Sequence, residues 1–296
     1  MTAAVRFQYG GHATFPVRYG WLPKGVERLV KDGGFVANLE TADDLGIGSK
    51  MAESLAFWLT AAGLASSDRA GLTPSPLAAL IHKRDPYFER PGTWWFIHLL
   101  LTRRENTVWG WFFNDYSDRI FDRLGCADAF LQHALRHAVR GPTAATAGRD
   151  VACLLSAYAA RPGVDVVDPD DIGACPLREL GLVIRHDAVH RFEKARRPSG
   201  VPLEVFLAAA SHLAELTGET ALSARQLATL RHGPGRALCL NLESIETLMP
   251  KAASRYWEQA VQTEVLNGER RLLVPSCSPK DWLELLYDRV GAGEDR

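Results

Sequence analysis

The side chains best placed to do chemistry in this sequence are polar groups set at the ends of apolar runs. Asn114, Asp115 and Asp118 end an aromatic stretch, VWGWFFNDYSDRIF (108–121), where a polar group must be hydrogen-bonded or wet. With Asp85 of the Asp85-Pro86-Tyr87 turn they offer the oxygen donors that a divalent metal (Mg or Mn) takes, Asp85 and Asp115 foremost. Capping of the next helix is the alternative use. A second set is cationic. Arg18, Lys24, Arg28 and Lys31 crowd one short span and make a phosphate-contacting surface. A third set, Ser49, Lys50 and Glu53, opens a helix on the face opposite its apolar stripe. In a helix-turn-helix these early residues of the second helix meet base edges. Arg149 holds the same kind of place in a second candidate, beside Asp150. Lys194, Arg196 and Arg197 are either a phosphate anchor or a solvated linker.

The elements that carry these residues follow from spacing. Thr41 to Leu72 reads as a short helix, a turn bracketed by Gly46 and Gly48, a longer helix and a small β-wing. Ser49 is the expected N-cap, and Met51, Leu55, Trp58, Leu59 and Ala62 form the buried stripe. Before it, Gly10-Gly11 ahead of His12 predicts a tight backbone approach, and a helix is expected from Lys24. After it come helices over Pro76–His82 and Thr93–Leu101, whose tryptophans and phenylalanines read as core, with His98 a satisfied core histidine. A helix from Ala127 to Arg140 stops at Gly141-Pro142. Thr143 or Thr146 then caps a helix through Tyr158, closed by Arg161-Pro162-Gly163 and followed by an acidic loop (Asp165, Asp168, Asp170, Asp171). Leu180-Gly181-Leu182-Val183 echoes the Gly63-Leu64 entry into a wing. A third segment holds helices over Leu203–Leu216, Ser223–Leu230 and Leu242–Leu248, with HGPGRALCLN (232–241) as turn plus strand.

The fold class expected is mainly α with small β-wings: two or three winged-helix or helix-turn-helix-like units packed on an aromatic-rich helical core. The segments are an N-terminal winged helix (1–75), an aromatic-rich helical part (76–140), a second winged-helix-like unit (141–200) and a C-terminal helical and wing unit (201–296).

Bulk composition narrows the function. At 296 residues, 47% hydrophobic and 23% charged, the chain is an ordinary globular one with no span of the roughly 18 apolar residues a membrane requires. Five scattered cysteines disfavour a disulfide framework or structural zinc, and the cytoplasm is the expected compartment. A net charge of −1 means that any nucleic-acid contact rests on local patches. No GxxxxGK[ST], GxGxxG between strand and helix, or GxSxG motif is present.

Several separated motifs together resemble the SspB family, which is also described as a bacterial domain of unknown function. They are GGHATFPVRYGWLPKG (10–25), LGIGSKM (45–51), RDPYFERPGTWWFIH (84–98), WGWFFN (109–114), RDVACLL (149–155) and CPLRELGLV (175–183). The resemblance implies nicking of one strand of double-stranded DNA, an endonuclease activity serving phosphorothioate modification of the DNA backbone in anti-phage defence. It also implies partners: a cysteine desulfurase, an ATPase and an ATP-pyrophosphatase. The chain departs from the family pattern at Ala13, where the pattern has Glu, and at Ser49-Lys50, where it has Lys-Asn. Catalysis is therefore not placed at position 13.

For strand cleavage, His12 is the candidate acid/base, with Asp85, Asn114 and Asp115 beside it in the catalytic set and Lys24, Lys50 and Arg149 as phosphate contacts at helix starts. Two other readings stay open. One is a non-catalytic winged-helix recognition subunit that recruits sulfur-transfer enzymes. The other is a transcriptional regulator acting as a homodimer on a palindromic site.

Overall fold

The computed structural model describes residues 6–160 and 175–291, so the acidic loop and the Arg161-Pro162-Gly163 stop lie outside the described residues. The chain forms two compact units, Met1–Lys194 and Ala195–Arg296.

In the first unit, helices α1 (Trp21–Asp32), α2 (Leu39–Leu45) and α3 (Ser49–Ala61) precede a hairpin of β1 (Ala65–Asp68) and β2 (Gly71–Pro74). Then come α4 (Pro76–Arg84), α5 (Pro91–Thr102), α6 (Val108–Asn114), β3 (Ile120–Phe121), α7 (Arg123–His137), α8 (Ala144–Tyr158) and β4 (Ala159–Ala160). A 3-10 turn (Pro176–Leu180) leads into the hairpin of β5 (Val183–His186) and β6 (Arg191–Lys194). The second unit holds α9 (Leu203–Thr217), β7 (Ala221–Ser223), α10 (Ala224–Thr229), α11 (Pro234–Ala237), α12 (Leu242–Arg255), β8 (Gln262–Leu266), β9 (Glu269–Leu273) and α13 (Pro279–Gly291). The architecture is mainly helical with small sheets.

One order of elements recurs three times: helix, strand, helix, helix, strand, strand, with the first strand antiparallel to the third and the third to the second. In the first instance the opening strand is reduced to a bridge between Phe35 and Leu72, beside the β1–β2 hairpin and after α1. Gly34 makes that bridge possible, since a Cβ there would lie 2.3 Å from the Leu72 carbonyl oxygen. The second runs α6, β3, α7, α8, β5, β6, in a sheet of order β3-β6-β5-β4. The third runs α9, β7, α10, α12, β8, β9, with order β7-β9-β8 and the short α11 inserted. Its hairpin turns through Asn267-Gly268 at φ 53 and 80, the mirror-image turn that suits right-twisted strands.

The aromatic segment is core. Trp94, Trp95, Phe96, Trp109, Trp111, Phe112 and Phe113 are all buried, and His98 Nδ1 lies 2.9 Å from the Tyr158 hydroxyl. The stripe of α3 is buried at Leu55, Trp58, Leu59 and Ala62, while Met51 is only half covered.

Several local expectations need correction. Gly48, not Ser49, is the N-cap of α3, and no side chain caps that helix, because Ser49 is already in its first turn. Helix α1 opens at Trp21, three residues before Lys24. Helix α7 is capped by Asp122, whose carboxylate accepts the Gly125 N–H, and it starts earlier than Ala127. HGPGRALCLN holds the helix α11, with Pro234 at its first position, and no strand; its apolar run is buried on all sides, which mimics a strand in sequence. Helix α12 continues through Pro250 to Arg255.

None of the five cysteines is in a disulfide, and all but Cys277 are buried. Burial pushes the Cys126 and Cys175 thiols up to about 12. Since the thiolate is the reactive form, iodoacetamide at mildly alkaline pH is expected to label Cys277 alone in the native protein, read by mass spectrometry of tryptic peptides. Labelling of Cys153 or Cys175 at a comparable rate would contradict this packing.

Candidate functional site

His12 is held at the meeting of three helices. Its ring packs edge-on to Phe57 of α3 at 5.8 Å and to Trp109 of α6 at 5.7 Å. Its Nε2 lies 2.9 Å from Asp150 Oδ1 of α8, and the same oxygen accepts the Gly10 N–H at 3.0 Å. The Thr14 N–H donates to His12 Nδ1 at 3.0 Å. An Nδ1 that accepts must be unprotonated, so the proton sits on Nε2 and is given to Asp150. Ser54 Oγ donates to the His12 carbonyl, and Trp58 Nε1 to the Phe15 carbonyl. The tight approach expected at Gly10-Gly11 is present: a Cβ at Gly11 would sit 2.6 Å from the Phe57 ring, and Gly10 has φ +66.

This clasp is structural. His12 and Asp150 are each 1% exposed, and both ring nitrogens are committed, which leaves His12 no free lone pair or proton for a substrate. Asp150 Oδ2 is buried without a hydrogen-bond partner among the described residues. Burial, and then the charge of Asp150, push the Tyr9 phenol up to about 12.

Asp85 is likewise occupied. Its Oδ1 accepts the Glu89 N–H at 3.0 Å, and its Oδ2 accepts the Arg90 N–H at 3.3 Å and the Thr93 hydroxyl at 2.6 Å. It closes the loop between α4 and α5 and caps the start of the second. Asn114 is buried and donates to the Thr102 and Gly110 carbonyls. Asp115 ends α6, half-buried, with its N–H bonded to the Trp111 carbonyl. Among the described residues no group of three or more His, Cys, Asp or Glu side chains gathers as a metal site. With both Asp85 oxygens filled by protein donors, the set Asp85, Asn114, Asp115 does not fit a divalent cation, and no step is routed through one there.

The proposed phosphate contacts divide by whether their charge is already used. Arg28 bonds Asp44 at 2.7 Å and pairs with Asp32 at 3.2 Å; Lys31 reaches Glu27 at 2.5 Å. Lys50 is bound by both oxygens of Glu53, at 2.9 and 2.8 Å. Arg18 lies over the rings of Phe15 and Trp21, at 5.8 and 5.5 Å. Lys24, Ser49 and Arg149 are exposed, the last within 3.4 Å of the Thr146 hydroxyl. Lys194 is not a surface anchor: its ammonium donates to the Phe112 and Tyr116 carbonyls, and Arg197 pairs with Glu243.

A further concentration of positive charge lies elsewhere. A cavity of about 440 Å³ lies between α8 and the β5–β6 hairpin. Arg123, Arg178, Arg185, His190 and Arg191 line it, over Leu155 and Phe192, and no carboxylate does. Arg178, Arg185, His190 and Arg191 fall within 14 residues of sequence, and the fold adds Arg123 from α7.

A mainly helical fold with a thrice-repeated helix–strand order, an internal acid–histidine clasp and a guanidinium-lined groove defines the class of protein. The chain belongs to the family described as "Protein of unknown function (DUF4007)", whose model matches residues 9–287. Two solved structures share the fold, each with a TM-score of 0.82 over 97% of this chain and 90% of the other. They are described as "SspB crystal structure", at 23% identity, and "Magnesium ion-bound SspB crystal structure", at 24%. Comparison with curated proteins returns no match.

Proposed function

We propose that the three repeats are winged-helix units and that the protein binds double-stranded DNA through them, serving the sulfur modification of DNA that the SspB resemblance implies. The observation that carries the reading is the recurrence of one strand order, first–third–second, around a helix pair. That order belongs to a fold whose second helix of the pair meets the groove and whose hairpin flanks it. The corresponding helices are α3, α8 and α12, and Ser49, Lys50 and Arg149 stand on the exposed faces of the first two. Unit boundaries near 75, 108 and 203 keep each repeat whole.

A mobility shift with a labelled duplex tests this. Binding should be micromolar at low salt and weaken steeply as salt rises. Absence of a shift at low ionic strength would end the reading.

A second reading, intrinsic nicking, is favoured by the relative whose description names bound magnesium. Supercoiled plasmid and highly purified protein, with and without EDTA, decide it. Open-circle product lost in EDTA would establish metal-dependent cleavage by this chain. A shift without product assigns it recognition, with a partner such as the cysteine desulfurase, ATPase or ATP-pyrophosphatase system completing the chemistry. No described helix is long and apolar enough to cross a membrane.

A further inference from the structure

We propose that the groove between α8 and the β5–β6 hairpin is the phosphate-binding site of this protein, so that the middle repeat, rather than the N-terminal one, grips the nucleic-acid strand. The inference rests on the DNA-binding reading and gives it a place. Three observations carry it.

The first is charge. Four arginines and a histidine line the cavity and no carboxylate does, in a chain whose net charge is −1. Arg123 is exposed and makes no bond among the described residues. Arg185 and Arg191 each meet an acid, Asp187 at 2.5 Å and Asp122 at 3.3 Å, but outside the lining. A guanidinium has five N–H donors, so one such contact leaves a fork free for a phosphate.

The second is shape. A volume of about 440 Å³ is that of a small-ligand pocket, enough for a phosphate with its sugar, and its apolar floor of Leu155 and Phe192 suits the non-ionic part of a nucleotide. The face of α8 bordering it is small, Ala152 and Ser156, so a strand can come close to the helix. Guanidinium is also the cation whose planar geometry matches phosphate oxygens in pairs.

The third is contrast with the other candidates. On α3, Lys50 is spent on Glu53; on α1, Arg28 and Lys31 are spent on Asp44, Asp32 and Glu27. On α12 the exposed first turns carry Glu243 and Glu246. Cations already neutralised by fixed carboxylates gain little from a phosphate; in the groove Arg123 meets no acid among the described residues, and Arg185 and Arg191, each on one acid, keep guanidinium N–H donors beyond that contact.

The experiment is the salt dependence of duplex binding by anisotropy for the wild type, Arg123→Ala/Arg185→Ala, Arg123→Lys/Arg185→Lys and Lys83→Ala. Each phosphate contact contributes about −0.9 to the slope of log K against log salt, so the double alanine variant should lose roughly 2 from the slope. The double lysine variant, which keeps the charges, should retain most of it, and Lys83→Ala, at an exposed lysine of α4 outside the groove, should match the wild type. Both arginines are exposed, and a wild-type circular dichroism spectrum confirms that the variants fold. If the wild type binds duplex and the double alanine variant keeps its slope, the groove is overturned while DNA binding stands. If the wild type does not bind DNA, inorganic pyrophosphate is the second probe. A rise in Tm with pyrophosphate, absent in the double alanine variant, would keep the groove as the site of a free phosphate compound and discard DNA. No rise would overturn both.

Discussion

His12→Ala is expected to lower the unfolding free energy of the first unit by about 3–5 kcal/mol, the cost of leaving a buried carboxylate without its partner. The loss falls on Asp150, which is 1% exposed and would keep only the Gly10 N–H as a donor. Removal of the ring also empties the space between Phe57 and Trp109, which touch it on two sides. Urea denaturation followed by tryptophan fluorescence reads it directly, because Trp58 and Trp109 pack within 5.1 Å of one another beside the clasp. A midpoint equal to wild type would refute the structural role. Loss of DNA nicking in His12→Ala would therefore not identify a catalytic base. Asp150→Asn separates the two roles. Its side-chain oxygen can still accept from His12 and Gly10, so a cost of about 1 kcal/mol and unchanged function are expected. A folded Asp150→Asn protein with function reduced a hundredfold or more would restore His12 as an acid/base oriented by Asp150.

Arg289→Met is expected to cost the second unit about 3–5 kcal/mol for the same reason. Glu204 is fully buried in the first turn of α9; its Oε1 accepts from Arg289 Nε of α13 at 2.8 Å and from the Tyr256 hydroxyl at the end of α12. Its other oxygen has no hydrogen-bond partner among the described residues. Burial, then the charge of Glu204, raise the Tyr256 phenol above its usual value, so it remains a hydrogen donor at any working pH. With Arg289 gone, one phenol is left to answer a buried carboxylate. The double change Glu204→Leu/Arg289→Met removes the charge together with its partner and should recover most of the loss, because replacing a buried ion pair by apolar groups is often neutral. Thermal unfolding of the two variants checks this; equal destabilisation of single and double variants would show that the contact matters through packing rather than charge.

Some of the corrected assignments had a local signal. Lys31–Glu27 and Arg28–Asp32 are four residues apart on a helix and Lys50–Glu53 three apart, spacings at which opposite charges meet, so their mutual neutralisation is legible in the spacing itself. Asp85 was different. Its type and setting suit a metal ligand or a loop closure equally, and only the positions of the Glu89 and Arg90 N–H groups decide.

By itself, the sequence determined the local elements of this protein. Apolar stripes at helical spacing marked α3, α8 and α9, the Gly-Leu entries marked hairpins, and the crowding of tryptophan and phenylalanine between 94 and 113 marked a core. These are properties of neighbours within a few turns, which periodicity records. The tertiary structure alone decided the sheet orders, the clasp and the groove. Asp150 reaches back 140 residues to Gly10, and the groove's cations come from α7, the 3-10 turn and the second hairpin. Partners such as Asp150 and Gly10, or Arg123 and Arg178, lie dozens of residues apart and share no period. They meet only because the apolar faces of their elements must be buried together, and the charge and hydrogen bonding of the site follow from that burial.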